Sequence, residues 1–170
     1  MFILRILSSI ILIYLIIMCL LFIFYGYAFG QVNKTTNYMI ICINKVELIK
    51  DYISEQSKLN VELGTENARV CLNFYNKIIA FINDTKDKYL AGAYFSNNDL
   101  YRKRFHLILF IEIFRSKRYR KIFKRTDRYI NALIDLIALE KRIRLKDKNK
   151  DMNYIRVKTK ILKILKEIVV

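Results

Sequence analysis

Residues 6–33 carry no charged side chain, and within them residues 10–25 form an unbroken apolar run. This stretch limits the possible folds more than any other feature. An α-helix rises about 1.5 Å per residue, so roughly 20 apolar residues cross a hydrocarbon core of about 30 Å. Ser8 and Ser9 are the only ordinary polar residues between positions 6 and 25, and a helix satisfies its own backbone in lipid. Tyr25 and Tyr27 stand at the far end, where amphipathic rings favour the headgroup level. A helix at the edge of a soluble core would carry a polar face, and this run has none. Residues 6–27 are therefore expected to meet a membrane.

Two fates fit that expectation. The stretch can stay as an anchor, or it can be clipped as an export signal. Arg5 supplies a minimal positive start, and Ala28-Phe29-Gly30 places small residues where a signal peptidase reads. Cleavage there would leave Gln31 as the new amino terminus. The run is slightly longer than an ordinary signal core, which favours retention. Arg5 and the amino terminus oppose Lys34 and Lys45, an asymmetry that places the bulk of the chain on the non-cytoplasmic side.

Beyond residue 30 the chain has the length of one domain. It has no Pro and four Gly, at 26, 30, 64 and 92. A chain so poor in breakers defaults to long helices. The expected architecture is all-α: a leader over residues 1–30, then a bundle of four to five amphipathic helices over residues 31–170. A near-neutral helical hairpin is expected over residues 31–95 and strongly basic helices over 96–170.

The charge follows that division. Residues 1–100 hold 9 Lys/Arg and 8 Asp/Glu, and residues 101–170 hold 22 and 7, for a net +16. Such asymmetry points to an anionic partner for the second half: lipid, an acidic polymer or an acidic protein. Nucleic acid is disfavoured for an exported chain. A merely solvated helix surface, in a sequence drifting toward Lys, Ile, Asn, Tyr and Phe, would give the same counts.

Taken in order, residues 34–60 read as a first helix. Tyr38, Cys42, Val46, Ile49 and Ile53 make its apolar stripe, and Glu47, Asp51 and Glu55 make an acidic row. The row lacks the loop and glycine of a calcium site; it reads as a solvated face or as the mate of a basic helix. Gly64 suits a helix end and Thr65 the next N-cap. A second helix runs to about residue 90, with Cys71, Phe74, Ile78, Phe81 and Ile82 on one side. A hairpin turning near residue 62 puts Cys42 and Cys71 out of step by 11 residues, about 16 Å along the helices. Disulfide Cα atoms lie within about 7 Å, so the two cysteines are predicted unbonded.

Ser96 and Asp99 resemble a capping box for a third helix. Residues 105–114 are nearly all apolar and too few to span a membrane, which predicts the most buried helical segment. Residues 102–128 then hold 11 basic and 2 acidic side chains. Tyr119, Ile122, Phe123 and Ile130 keep an apolar stripe through this region. A fourth helix, continuous with the third or separate from it, is expected over residues 126–146. Residues 146–151 form a charged hinge. In the last helix Tyr154, Ile155, Ile161, Leu162, Leu165, Ile168 and Val169 face one way, and Arg156, Lys158, Lys160, Lys163 and Lys166 the other.

The single histidine, His106, sits in an apolar run beside no acidic or nucleophilic partner. The sequence contains no phosphate loop, Cys-x-x-Cys pair, zinc-binding His-Glu-x-x-His or nucleophile elbow. No enzyme, metal or cofactor is expected. The candidate site is a basic amphipathic helix that contacts an anionic partner through Arg115, Lys117, Arg118, Arg120, Lys121, Lys124, Arg125 and Arg128. The alternatives are a structural subunit whose charge is incidental and a membrane-active effector driven by residues 158–170.

Overall fold

The computed structural model describes residues 2–92, 98–143 and 152–169, and side chains over 5–92, 108–143 and 153–168. These residues form five helices: α1 (Phe2–Ser54), α2 (Gln56–Leu63), α3 (Thr65–Ala91), α4 (Asn98–Ile143) and α5 (Met152–Lys166). A 3-10 turn, Glu167–Val169, follows. The protein is all-α, as its shortage of breakers requires. The capping pair at Ser96 and the hinge at 146–151 lie outside the described residues, as does the His106 side chain.

The boundary of the leader differs from expectation. The leader is not a separate helix: α1 runs unbroken for 53 residues, about 80 Å. Gly26 and Gly30 are tolerated within it, each costing about 1 kcal/mol. The segment from Gln31 to Lys34 has no breaker, and Gln31 and Thr35 are buried against α4. Of the two readings of the third and fourth helices, continuous or separate, the continuous one is seen: they are one helix of 46 residues.

α1 ends at Ser54 rather than near 60, because Glu55 leaves helical geometry at φ −81°, ψ 70°. The short α2 follows, and the chain reverses at Gly64, whose φ of +77° is the left-handed conformation glycine adopts at no steric cost. Gly64, not Thr65, precedes the first residue of α3, and no side chain caps that end.

α1 and α4 pack in parallel with a constant offset. The Thr35 hydroxyl donates to the Ser116 carbonyl at 2.9 Å, and the Cys42 thiol to the Phe123 carbonyl at 3.3 Å; both pairs are 81 residues apart. Ala28 and Leu109 share a smaller core with Ile113, and these two are separated by the same interval. Ala28, Thr35, Cys42 and Ile49 recur every seven residues along α1, as do Leu109, Ser116, Phe123 and Ile130 along α4, and all eight are buried. A seven-residue repeat keeps one seam of each helix facing the other. Small residues at Ala28, Thr35 and Ser116 let the backbones come close enough for a hydroxyl to reach a carbonyl across the seam.

α3 runs back against α4. Tyr89 near its end packs its ring against that of Tyr119, tilted by 52° with centres 5.3 Å apart, and Asn67 near its start donates to Glu140 at 2.7 Å. α5 closes the bundle with Leu165 fully buried. The main core therefore lies far from the leader, around Cys42, Ile53, Leu63, Cys71, Ile78, Phe123, Leu133, Leu136 and Leu165. Cys42 and Cys71 are free and buried, as the hairpin argument requires.

The segment expected to be most buried is not. Ile108, Leu109 and Ile113 are covered, but Phe110 is 53 %, Ile111 43 % and Phe114 59 % exposed. α3 ends beside Arg115, so the described part of α4 before that point has only α1 to pack on, and one helix covers one stripe. The last helix also turns differently from its sequence reading: Ile155 is 58 % exposed, while Lys158 points inward. Lys158 stands seven residues before Leu165, on the same seam.

Candidate functional site

α1 and α4 each leave one part uncovered, and together these parts define the candidate site. On α1, the large side chains between Ile6 and Ile23 are mostly exposed, reaching 78 % at Phe22. The helix is long and apolar enough to cross a membrane, and none of its most apolar window is buried in the bundle. On α4, the basic residues after Arg115 occupy most of the surface that the core stripe does not use.

The eight basic residues read from the sequence do not share one environment. Arg115 faces inward. Its Nη1 donates to both carboxylate oxygens of the buried Glu112, at 2.9 and 3.1 Å. Its guanidinium lies 4.8 Å from the Tyr89 ring centre and 5.7 Å from that of Tyr119. Gly92 makes room for it, since a Cβ there would sit 2.8 Å from Arg115 Nε. Arg120 donates to Gln31 Oε1 at 2.7 Å, which ties α4 to α1. Lys117 and Lys124 rest over tyrosines of α1, Tyr27 at 5.6 Å and Tyr38 at 5.2 Å.

Arg118, Lys121, Arg125 and Arg128 are exposed. Among the described residues they have no acidic partner within ion-pair distance. Their spacing of three, four and three puts them on one face over three turns. The nearby acids are occupied: Asp127 pairs with Lys45, and Asp84 with Lys88 at 2.7 Å. This basic face borders a groove of about 910 Å³ between α3 and α4. Phe81, Phe114, Tyr119 and Ile122 give the groove apolar walls, and Arg118, Lys121 and Arg125 stand along it.

The acidic row of α1 meets none of these cations within the chain. Glu47 and Asp51 are exposed, and Glu55 makes only an exposed contact with Lys58 at 3.5 Å. No group of three metal-binding side chains occurs among the described residues.

Sequence reasoning missed a second polar cluster, which is structural. Glu140 is 2 % exposed. It accepts from Lys158 Nζ at 2.6 Å, from Tyr154 Oη at 2.9 Å and from Asn67 Nδ2 at 2.7 Å, joining α3, α4 and α5. Burial alone would lower the Lys158 pKa; the bonds to Glu140 and Tyr154 and the charge of Glu140 outweigh it, and the net shift is upward. Burial raises the Tyr154 phenol as well. Glu112 and Glu140 are four heptads apart, on the buried row of α4 that passes through Thr126 and Leu133 beside the α1 seam. An acid at a core position of a seven-residue repeat was the signal that would have found both.

Burial also pushes both interior thiols up to about 12, helped by Asp127 at Cys42 and by Glu140 at Cys71. A thiol held in its neutral form is a poor nucleophile, so neither cysteine is poised for chemistry. Comparison with known proteins finds no matching protein family, no matching curated protein and no matching solved structure.

Proposed function

We propose that the chain is a non-catalytic protein of the cell envelope, held in a membrane by the first half of α1, that binds an anionic partner through the exposed cations of α4. The observation that carries this reading is the ladder of Arg118, Lys121, Arg125 and Arg128. These four charges lie on one face and, among the described residues, have no acid to neutralise them. Grouped like charges cost self-repulsion that an opposite partner relieves.

Retention of the leader is favoured over cleavage by its packing. Phe24, Tyr25 and Ala28 lie against Leu109 and Ile113, and a cut after Gly30 would strip that contact from α4. The exposed Phe110, Ile111 and Phe114 continue the leader's apolar surface for about two more turns on the neighbouring helix.

The register narrows the partner. An offset of 81 puts Arg128 at the height of Glu47, 20 residues beyond Tyr27. That is about 30 Å past the end of the leader, roughly three Debye lengths at 0.1 M salt. A flat bilayer holding α1 along its normal reaches Lys117 and Arg118 but not Arg128. An acidic protein or polymer lying along α4 reaches the whole ladder.

The test is a triple reversal, Arg118→Glu, Lys121→Glu and Arg125→Glu, made in the full chain in detergent. Heparin retention should fall to background, and wild-type retention should weaken steeply between about 0.05 and 0.3 M salt as charges are screened. Binding that survives both the reversal and the salt would leave the structural-subunit reading, in which apolar packing carries the contact.

A further inference from the structure

Two faces of the molecule fit each other and cannot meet within one chain. The outer face of α1, opposite the α4 seam, carries Ile40 at 44 %, Ile41 at 45 % and Leu48 at 74 % exposure. Among them stand Glu47 and Asp51, both exposed and without a cationic partner among the described residues. This is an acidic ridge with an apolar spine. The groove between α3 and α4 is its complement, with Phe81, Tyr119 and Ile122 as floor and Arg118, Lys121 and Arg125 as rim. We propose that the outer face of α1 in one copy docks along the α4 cations and groove of a second copy. This names the anionic partner of the proposed function and rests on that reading.

Height decides the fit. Copies anchored in one membrane by the same helix stand parallel and level. The α1–α4 offset of 81 residues then gives the pairing directly. Ile122 stands at the height of Ile41, so apolar floor meets apolar spine, with the rim cation Lys121 level with Ile40. Arg128, beyond the rim, stands at the height of Glu47, and Arg125 one turn below it, so the upper cations meet the acids. An antiparallel or displaced pairing would lose this match, and anchoring forbids it. The contact joins two different faces, so a docked pair still offers one free groove, on the copy whose ridge is engaged, and one free ridge, on the other. Such head-to-tail contacts make rings or rows in the membrane plane.

The experiment reads energy transfer between donor- and acceptor-labelled full-length chains in neutral phosphatidylcholine vesicles, which offer no anionic surface. Wild type should show transfer that rises with protein-to-lipid ratio and falls with salt. Glu47→Lys with Asp51→Lys should weaken association about tenfold or more, and Arg125→Glu with Arg128→Glu should do the same. Mixing the two variants should restore transfer, because the intact groove of one meets the intact ridge of the other. Restoration also shows that both variants are folded.

Wild type without transfer overturns the proposal, as does undiminished association of both variants or failure of the mixture. Heparin retention is measured on the same samples. Retention without transfer leaves the anionic-partner reading intact and ends this one; loss of retention in wild type ends the broader reading by itself.

Discussion

Glu140→Ala should undock the last helix. Glu140 is almost wholly buried and accepts from three groups at 2.6–2.9 Å. Removing it strands Lys158, whose side chain is 28 % exposed, and leaves the Tyr154 hydroxyl without an acceptor. Asn67 keeps its bond to the Leu63 carbonyl at 3.2 Å. Breaking a buried ion pair from one side costs about 3–5 kcal/mol. Because Lys158 can recover some water, the lower end applies, about 3 kcal/mol. A 15-residue helix is marginal on its own, so undocking and unfolding of α5 are one event. Three kcal/mol corresponds to roughly a hundredfold more opening. Amide hydrogen exchange across residues 153–168 should accelerate by that factor in the full chain, while exchange at the α1–α4 seam stays slow. The double variant Glu140→Leu with Lys158→Met removes both charges and should recover most of the protection. Unchanged exchange in Glu140→Ala, or a double variant as labile as the single, would refute the assignment of this pair as the clasp of α5.

Two other consequences follow from the packing. Thr35→Leu inserts bulk where the helix backbones are closest, at a side chain with no exposure; overpacking of this kind costs about 1–3 kcal/mol, and thermal unfolding should begin several degrees lower. Alkali should unfold the bundle. The Cys42 and Cys71 thiols are raised from 9.0 to about 12, and Lys158 and Tyr154 are also raised. Each raised pKa favours the protonated form in the folded state, so the stability it contributes is complete below the unfolded pKa and drains away as pH rises through the folded one. Denaturant midpoints should hold steady at neutral pH and drop from about pH 9 upward; a flat profile to pH 11 would contradict the burial of both thiols.

Much of the architecture could be read from the sequence because it rests on local rules. The absence of Pro, the four glycines and the stripe at Cys42, Val46, Ile49 and Ile53 specified long amphipathic helices, and the helix ladder needs nothing more. The merging of leader and first helix was hidden. Gln31 and Thr35 look like a polar boundary, and only their burial against α4 turns them into a seam. The exposure of Phe110 and Phe114 was hidden for a related reason: an apolar run states a preference, and whether a neighbour covers it depends on where α3 ends. Arg115 and Lys158 looked like surface cations because charge suggests solvent. Their acids, Glu112 and Glu140, sit at buried positions of the adjoining core row and draw both inward. The basic run was legible, but the sequence did not separate the exposed Arg118, Lys121, Arg125 and Arg128 from Lys117, Arg120 and Lys124, which engage Tyr27, Gln31 and Tyr38 of α1.

The central claim is that the uncovered half of α1 lives in lipid while the bundle and its cationic face stand outside it. Alkaline carbonate extraction of cells expressing the full chain, followed by amino-terminal sequencing of the recovered protein, tests this directly. The protein should stay in the membrane pellet with the apolar leader still at its start. Recovery in the soluble fraction with that leader intact would contradict the account.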